Sequence, residues 1–227
     1  KTSSIIPFTG IWQKLLSIFQ NKQAWLLSLY SGLAFAPVSV FGGLWGFPFL
    51  QQAYHLNASQ AAFAISWIFI GFAAGAPFFG WFSDYIGRRK PILFIGTCSA
   101  LICLLLVLYL TSLPLAWLST LLFIFGFGAS GFFASFAMIH EMFSAVLAAT
   151  VLGFMNTFDS ICEALSEPLV GALLDLTWRG KVSQGVHQFS TAGYHQALFV
   201  LPAYLLAALV VLWRIKETYC KPYDKES

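Results

Sequence analysis

No Asp, Glu, Lys or Arg occurs between residues 23 and 83, and none between residues 91 and 140. The charges separating these stretches are gathered into Asp84, Arg88, Arg89 and Lys90. Each stretch has room for two bilayer crossings of roughly 20 residues. A soluble domain would need about 25% charged residues to dress its surface, whereas this chain has 9%, with 59% apolar. The runs are continuously apolar rather than alternating, which favours helices over a barrel. The chain therefore reads as all-α, a polytopic membrane protein.

Six spans are predicted, over residues 24–50, 60–82, 91–110, 114–139, 145–176 and 194–215. An even number of spans puts both termini on one side, with the second and fourth connections. That side holds Lys1, Lys14, Lys22, Arg88, Arg89, Lys90, Arg214, Lys216, Lys221 and Lys225, against Arg179 and Lys181 on the other. Cytoplasmic loops are the basic ones, so the termini are expected inside. The same distribution accounts for the net charge of +3 without a nucleic-acid partner. The four cysteines, Cys98, Cys103, Cys162 and Cys220, show no metal-ligand spacing, and three lie in apolar runs where cysteine acts as a small hydrophobe. Neither a metal nor a cofactor is implied. The chain contains no H-E-x-x-H, no G-x-S-x-G and no phosphate-cradling glycine loop ending in lysine, so no enzyme is indicated.

Residues 1–22 read as a linker. Ile11, Trp12, Leu15, Leu16, Ile18 and Phe19 recur at helical spacing with polar residues between them, which predicts an amphipathic helix on the cytoplasmic face. The transmembrane domain is placed at 23–216 and a cytoplasmic tail at 217–227. The first residue is lysine and no signal-peptide pattern follows, so the chain is expected to be a piece of a longer protein. The six spans divide into two threes. The first span carries Pro37, Gly42, Gly43, Gly46 and Pro48, and the fourth carries Gly126, Gly128, Ser130 and Gly131. The third and sixth carry plain leucine runs suited to lipid. Two inverted three-helix repeats would show this pattern, with the first helix of each lining a cavity.

The segment Gly80-Trp-Phe-Ser-Asp84-Tyr85-Ile-Gly87-Arg88-Arg89 resembles the loop signature of the major facilitator superfamily, G-x-x-x-D-x-x-G-R-[RK]. Tyr85 stands where that signature usually has a basic residue, a departure met in the second-half copy. Glu167-Pro168-Leu-Val-Gly171-Ala-Leu-Leu-Asp175 is similar to the family's eleventh helix, and Arg214-Ile-Lys216-Glu217-Thr218 to the tail after the twelfth. The resemblance covers nearly the whole chain and implies helices seven to twelve of a twelve-helix carrier, in a bacterial cytoplasmic membrane. It implies alternating-access transport of a small organic solute with an N-terminal six-helix half as partner. It also implies a gate formed by Gly80, Asp84, Gly87, Arg88 and Arg89. In that gate Gly80 lets a neighbouring helix approach, Gly87 reverses the chain, and Asp84 accepts from Arg88 and from amides near Ser144. A purely topogenic loop is the alternative. Glu141, beside His140, would join the loop network.

Asp159, Glu163 and Glu167 recur every fourth residue, so a helix places them on one face. An ionisable group at mid-bilayer costs about 2.5–3.5 kcal/mol on insertion scales, so three in a row should avoid lipid. They are candidates for proton coupling or for binding a cationic group, and protons join the solute as expected partners. The alternative is that they hydrogen-bond to neighbouring helices and stiffen the bundle. Tyr30, Phe41, Trp45 and Asn156 are candidate cavity-lining residues. Beside a proton-coupled carrier, a uniporter, a self-contained six-helix channel or dimeric half-carrier, and a non-transporting sensor stay open.

Overall fold

A computed structural model describes residues 19–178, 180, 182–183 and 186–221. Six long helices dominate: α1 Lys22–Ala53, α2 Ala58–Ile86, α3 Lys90–Tyr109, α4 Leu115–Met142, α5 Ala145–Thr177 and α6 Thr191–Arg214. All except α5 are apolar enough along their length to cross a membrane. At about 1.5 Å per residue, the 33 residues of α5 also suffice, but this helix carries Asp159, Glu163, Glu167 and Asp175. Two short strands, β1 Val182–Ser183 and β2 Val186–His187, pair antiparallel between α5 and α6. The chain is thus an all-helical polytopic membrane protein whose connection after α5 holds this small ladder. Most of the amphipathic segment expected at the N-terminus lies outside the described residues.

Local chemistry sets the boundaries. Asn21 accepts from the amides of Gln23 and Ala24, which starts α1. Asn57 and Gln60 form a reciprocal capping box at the start of α2, so Asn57 serves as a helix cap. At the other end α2 runs four residues further than expected, to Ile86, and Gly87 stops it at φ +69°. Asp84 therefore lies in the last helical turn rather than in a loop. The connection to α3 is reduced to Gly87–Arg89.

The breaker-rich helices are the irregular ones. Helix α1 widens to a π-turn at Phe41–Trp45, between Pro37 and Pro48, which each remove an amide from the ladder. Helix α4 tightens to a 3₁₀ turn at Ser130–Phe133. The main packing pairs are α2 with α4, α1 with α5, α3 with α4, α6 with α1, and α3 with α6. Exchanging α1 with α4, α2 with α5 and α3 with α6 leaves that set unchanged. This is the symmetry that two three-helix repeats require, and the three-helix length gives them opposite directions.

Glycines set how closely the helices cross. A Cβ built on Gly71 would overlap the carbonyl of Phe123, and one on Gly126 the carbonyl of Ile68. Backbone therefore meets backbone between α2 and α4. Gly96 and Gly128 do the same between α3 and α4. The leucine runs meet the expectation only in part. Leu104, Val107, Leu108 and Leu205 are buried in the core, whereas Leu206 of the same runs is exposed, together with Ile102, Val210 and Trp213 beside them. Periodicity explains this, because a continuous apolar run still turns one face inward every 3.6 residues.

Candidate functional site

The turn after α2 builds the first candidate site. The Gly87 amide donates to the carbonyls of Ser83, at 3.0 Å, and Asp84, at 3.2 Å, and the Arg88 amide donates to Ser83 at 3.3 Å. This reversal leaves Arg88 exposed and turns Arg89 inward, where it is 7% exposed. Arg89 Nη1 lies 2.6 Å from Asp84 Oδ1 and also donates to Ser83 Oγ. Its Nε and Nη2 donate to Glu141 Oε1 at 3.0 and 2.7 Å. The other Glu141 oxygen accepts from Thr218 Oγ1. Glu217 closes the arrangement: its Oε1 accepts from the Arg89 amide at 2.9 Å and its Oε2 from the Lys90 amide at 3.1 Å. A carboxylate is well placed there, because the first amides of α3 lack helical partners and carry the positive end of the dipole. Burial alone would lower the Arg89 pKa, but hydrogen bonds to Glu141 and Asp84 outweigh it and hold the guanidinium above its ordinary value. One arginine thus cross-braces the ends of α2, α3 and α4 and the segment after α6.

Three expectations for this motif are corrected. Asp84 pairs with Arg89 and not with Arg88, because the left-handed Gly87 decides which of two adjacent arginines faces the bundle. Among the described residues Asp84 makes no bond to the start of α5, and its side chain is 67% exposed. Among the described residues no neighbouring helix approaches Gly80, since a Cβ there would meet nothing within 4 Å. Gly87 does make the reversal. Gly87→Ala is expected to cost about 1–2 kcal/mol, the penalty of a Cβ in the left-handed region. Thermal unfolding of the purified protein in detergent checks this, with Gly87→Asn expected to lose clearly less.

The second candidate site lies where α5 packs on α1. Gly32 lets the helices touch, its missing Cβ position falling against Cys162 Sγ and the Phe158 carbonyl. The three acids then meet different surroundings. Asp159 is 7% exposed beside the Ser31 hydroxyl, and among the described residues its Oδ1 has no hydrogen bond of good geometry. The Ser28 hydroxyl is likewise buried without a partner. Glu163 Oε1 accepts from Ser39 Oγ. Glu167 is half-buried, and its backbone carbonyl accepts from Trp45 Nε1 at 3.1 Å. Among the described residues no Lys, Arg or His forms an ion pair with the stripe. The serines on α1 escaped the sequence reading, because a hydroxyl in an apolar helix gives no signal until its neighbour is known.

The remaining candidates separate. Tyr30 and Phe41 are fully buried inside the bundle and line no open face. Tyr30 Oη bonds Thr97 Oγ1 at 2.8 Å and the Leu93 carbonyl at 3.2 Å, and Phe41 packs on Phe49 and Phe125. Trp45 is half-buried on the α1–α5 seam, and Asn156 is exposed on α5. Among the described residues no cluster of three His, Cys, Asp or Glu could hold a metal ion.

Compared with known proteins, residues 27–225 match the family model of the Major Facilitator Superfamily. No curated protein matches the chain.

Proposed function

The chain belongs to the major facilitator superfamily, and on that premise we propose that it is the C-terminal six-helix half of a proton-coupled secondary transporter for a small organic solute. The solute binds between this half and an N-terminal six-helix half. Rocking of the two halves then exposes the site to either side of the membrane in turn. Ten basic residues on the side of the termini against two on the other support termini on the cytoplasmic side. The Arg89 network then lies at the cytoplasmic end and braces it in one conformation, so opening that end requires the brace to loosen.

The observation that carries the coupling step is Asp159: a buried carboxyl on a membrane helix, beside the Ser31 hydroxyl and, among the described residues, with no cation paired to it. A carboxylate so placed is expensive to keep charged. A proton, or a cationic group on the solute, neutralises it during part of the cycle. Glu163, held by the Ser39 hydroxyl, and Glu167 beyond it extend the stripe along the same face of α5.

The test is solute-induced pH change in proteoliposomes holding both halves, over a panel of small organic solutes. Asp159→Asn is expected to abolish solute-dependent proton movement while solute exchange persists, and Glu163→Gln to weaken it. Unchanged proton movement in both variants would make the stripe structural. Solute flux without proton movement in the wild type would make the protein a uniporter or couple it to another ion.

A further inference from the structure

The Arg88 side chain takes no part in the Arg89 network and turns instead to Tyr219. Its guanidinium carbon lies 5.7 Å from the centre of the Tyr219 ring, a cation–π arrangement. The turn that presents this ring is strained, with Tyr219 and Cys220 both at φ +54°. Beside them, between the ends of α3 and α6, is a cleft of about 370 Å³ lined by Arg88, Lys90, Phe94, Trp213, Glu217 and Tyr219. Among the described residues neither Arg88 nor Lys90 has an ion-pair partner. The Glu217 carboxylate at the cleft's edge accepts from the amides of Arg89 and Lys90 and forms no ion pair with the Arg88 or Lys90 side chain.

The walls say what kind of anion fits. Trp213 is 80% exposed, and on α6 it stands above Val210 and Leu206, which recur at helical spacing on the same exposed face. On α3 the exposed Phe94 and Ile95 continue to Ile102. The cleft is therefore basic and aromatic at its mouth, at the end of two membrane helices, and continuous with hydrocarbon-compatible surface. Aromatic residues mark the headgroup level of a bilayer, and basic pockets between helix ends suit anionic headgroups. A soluble anion would use only the basic half of such a surface.

We propose that this cleft binds an anionic phospholipid, its phosphate between Arg88 and Lys90 and its acyl chains along Phe94 and Trp213. Glu217 belongs both to the cleft and to the cap of α3 beside Arg89, so a lipid seated here touches the turn that carries the network. The site does not depend on the transport reading.

The test is native mass spectrometry of the purified protein offered equal amounts of phosphatidylglycerol and phosphatidylcholine in detergent. Wild type is expected to retain phosphatidylglycerol preferentially. The double variant R88Q/K90Q should reduce that preference about 30-fold, roughly fivefold for each basic residue removed near a headgroup. R88K/K90R should keep it, and thermal midpoints confirm that each variant is folded. R214Q/K216Q removes two cations near the same end but outside the cleft, and should also keep it. Equal retention of the two lipids by wild type overturns the proposal. So does an equal loss in R214Q/K216Q, which would mean general surface charge. Displacement of the lipid by excess inorganic phosphate would reduce the cleft to a simple anion site and overturn it equally.

Discussion

Arg89→Ala is expected to destabilise the bundle by about 3–5 kcal/mol, the cost of stranding a buried charge when its partner is removed. The stranded group is Glu141, whose side chain is 10% exposed and takes two guanidinium bonds. Asp84 should matter far less. It pairs with the same arginine at 2.6 Å but is 67% exposed, and exposed pairs contribute about 0–1 kcal/mol. Equilibrium unfolding in detergent should therefore rank Arg89→Ala and Glu141→Ala well above Asp84→Asn. Arg89→Lys should fall between, since an ammonium keeps the charge but cannot fork across Glu141 and Asp84. The arginine's share should not vary across ordinary pH. A base whose folded pKa is raised contributes fully below its unfolded value, which for arginine lies above ordinary pH, and loses that contribution only as the pH rises through the folded value. An Asp84→Asn effect as large as that of Arg89→Ala would show that the acid at the motif, and not the one on α4, carries the brace.

That ranking could not be read from the motif, and the reason is geometric. Charge-free runs locate the membrane helices because each polar interruption is costly in lipid. The expected spans accordingly match the observed helices to within a few residues at most ends. Breaker residues marked α1 and α4 as irregular because Pro and Gly act on their own backbone. Partner choice is different. Arg88 and Arg89 are adjacent and chemically identical, and only the φ +69° turn at Gly87 sends one to the bundle and the other to Tyr219. Glu141 and Glu217 reach the same arginine from 52 and 128 residues away. The acidic stripe was legible as a stripe, because spacing by four is a local property. That Asp159 is the buried member and Glu163 the hydroxyl-bonded one depends on how α5 packs on α1, and on Ser39 of that helix. Tyr30 and Phe41 failed as lining residues for a related cause: aromatic side chains serve a packed core and an open wall equally well, and neighbours decide which.

Gly126→Ala should do nearly as much damage as losing Arg89, with the removal of no interaction at all. Most glycine-to-alanine changes inside a helix gain up to about 1 kcal/mol, because alanine restricts the unfolded chain and suits the helix. Gly43 and Gly153 should behave in that way, since a Cβ at either meets nothing within 4 Å. At Gly126 the new methyl would enter the carbonyl of Ile68, and a backbone oxygen in a helix has no rotamer with which to withdraw. The two helices must separate instead. Separation also loosens Gly71 from Phe123 and Gly75 from Phe127 along the same seam. Overpacking of this kind typically costs about 1–3 kcal/mol, occasionally more. The backbone character of the clash puts Gly126→Ala at the upper end, and Gly126→Leu beyond what the bundle tolerates. Unfolding of Gly126→Ala, Gly71→Ala, Gly43→Ala and Gly153→Ala under one detergent condition separates the two classes. A Gly126→Ala protein as stable as Gly43→Ala would mean that α2 and α4 do not cross at backbone contact. The close-packed seam between the second helix of one repeat and the first helix of the other would then have to be redrawn.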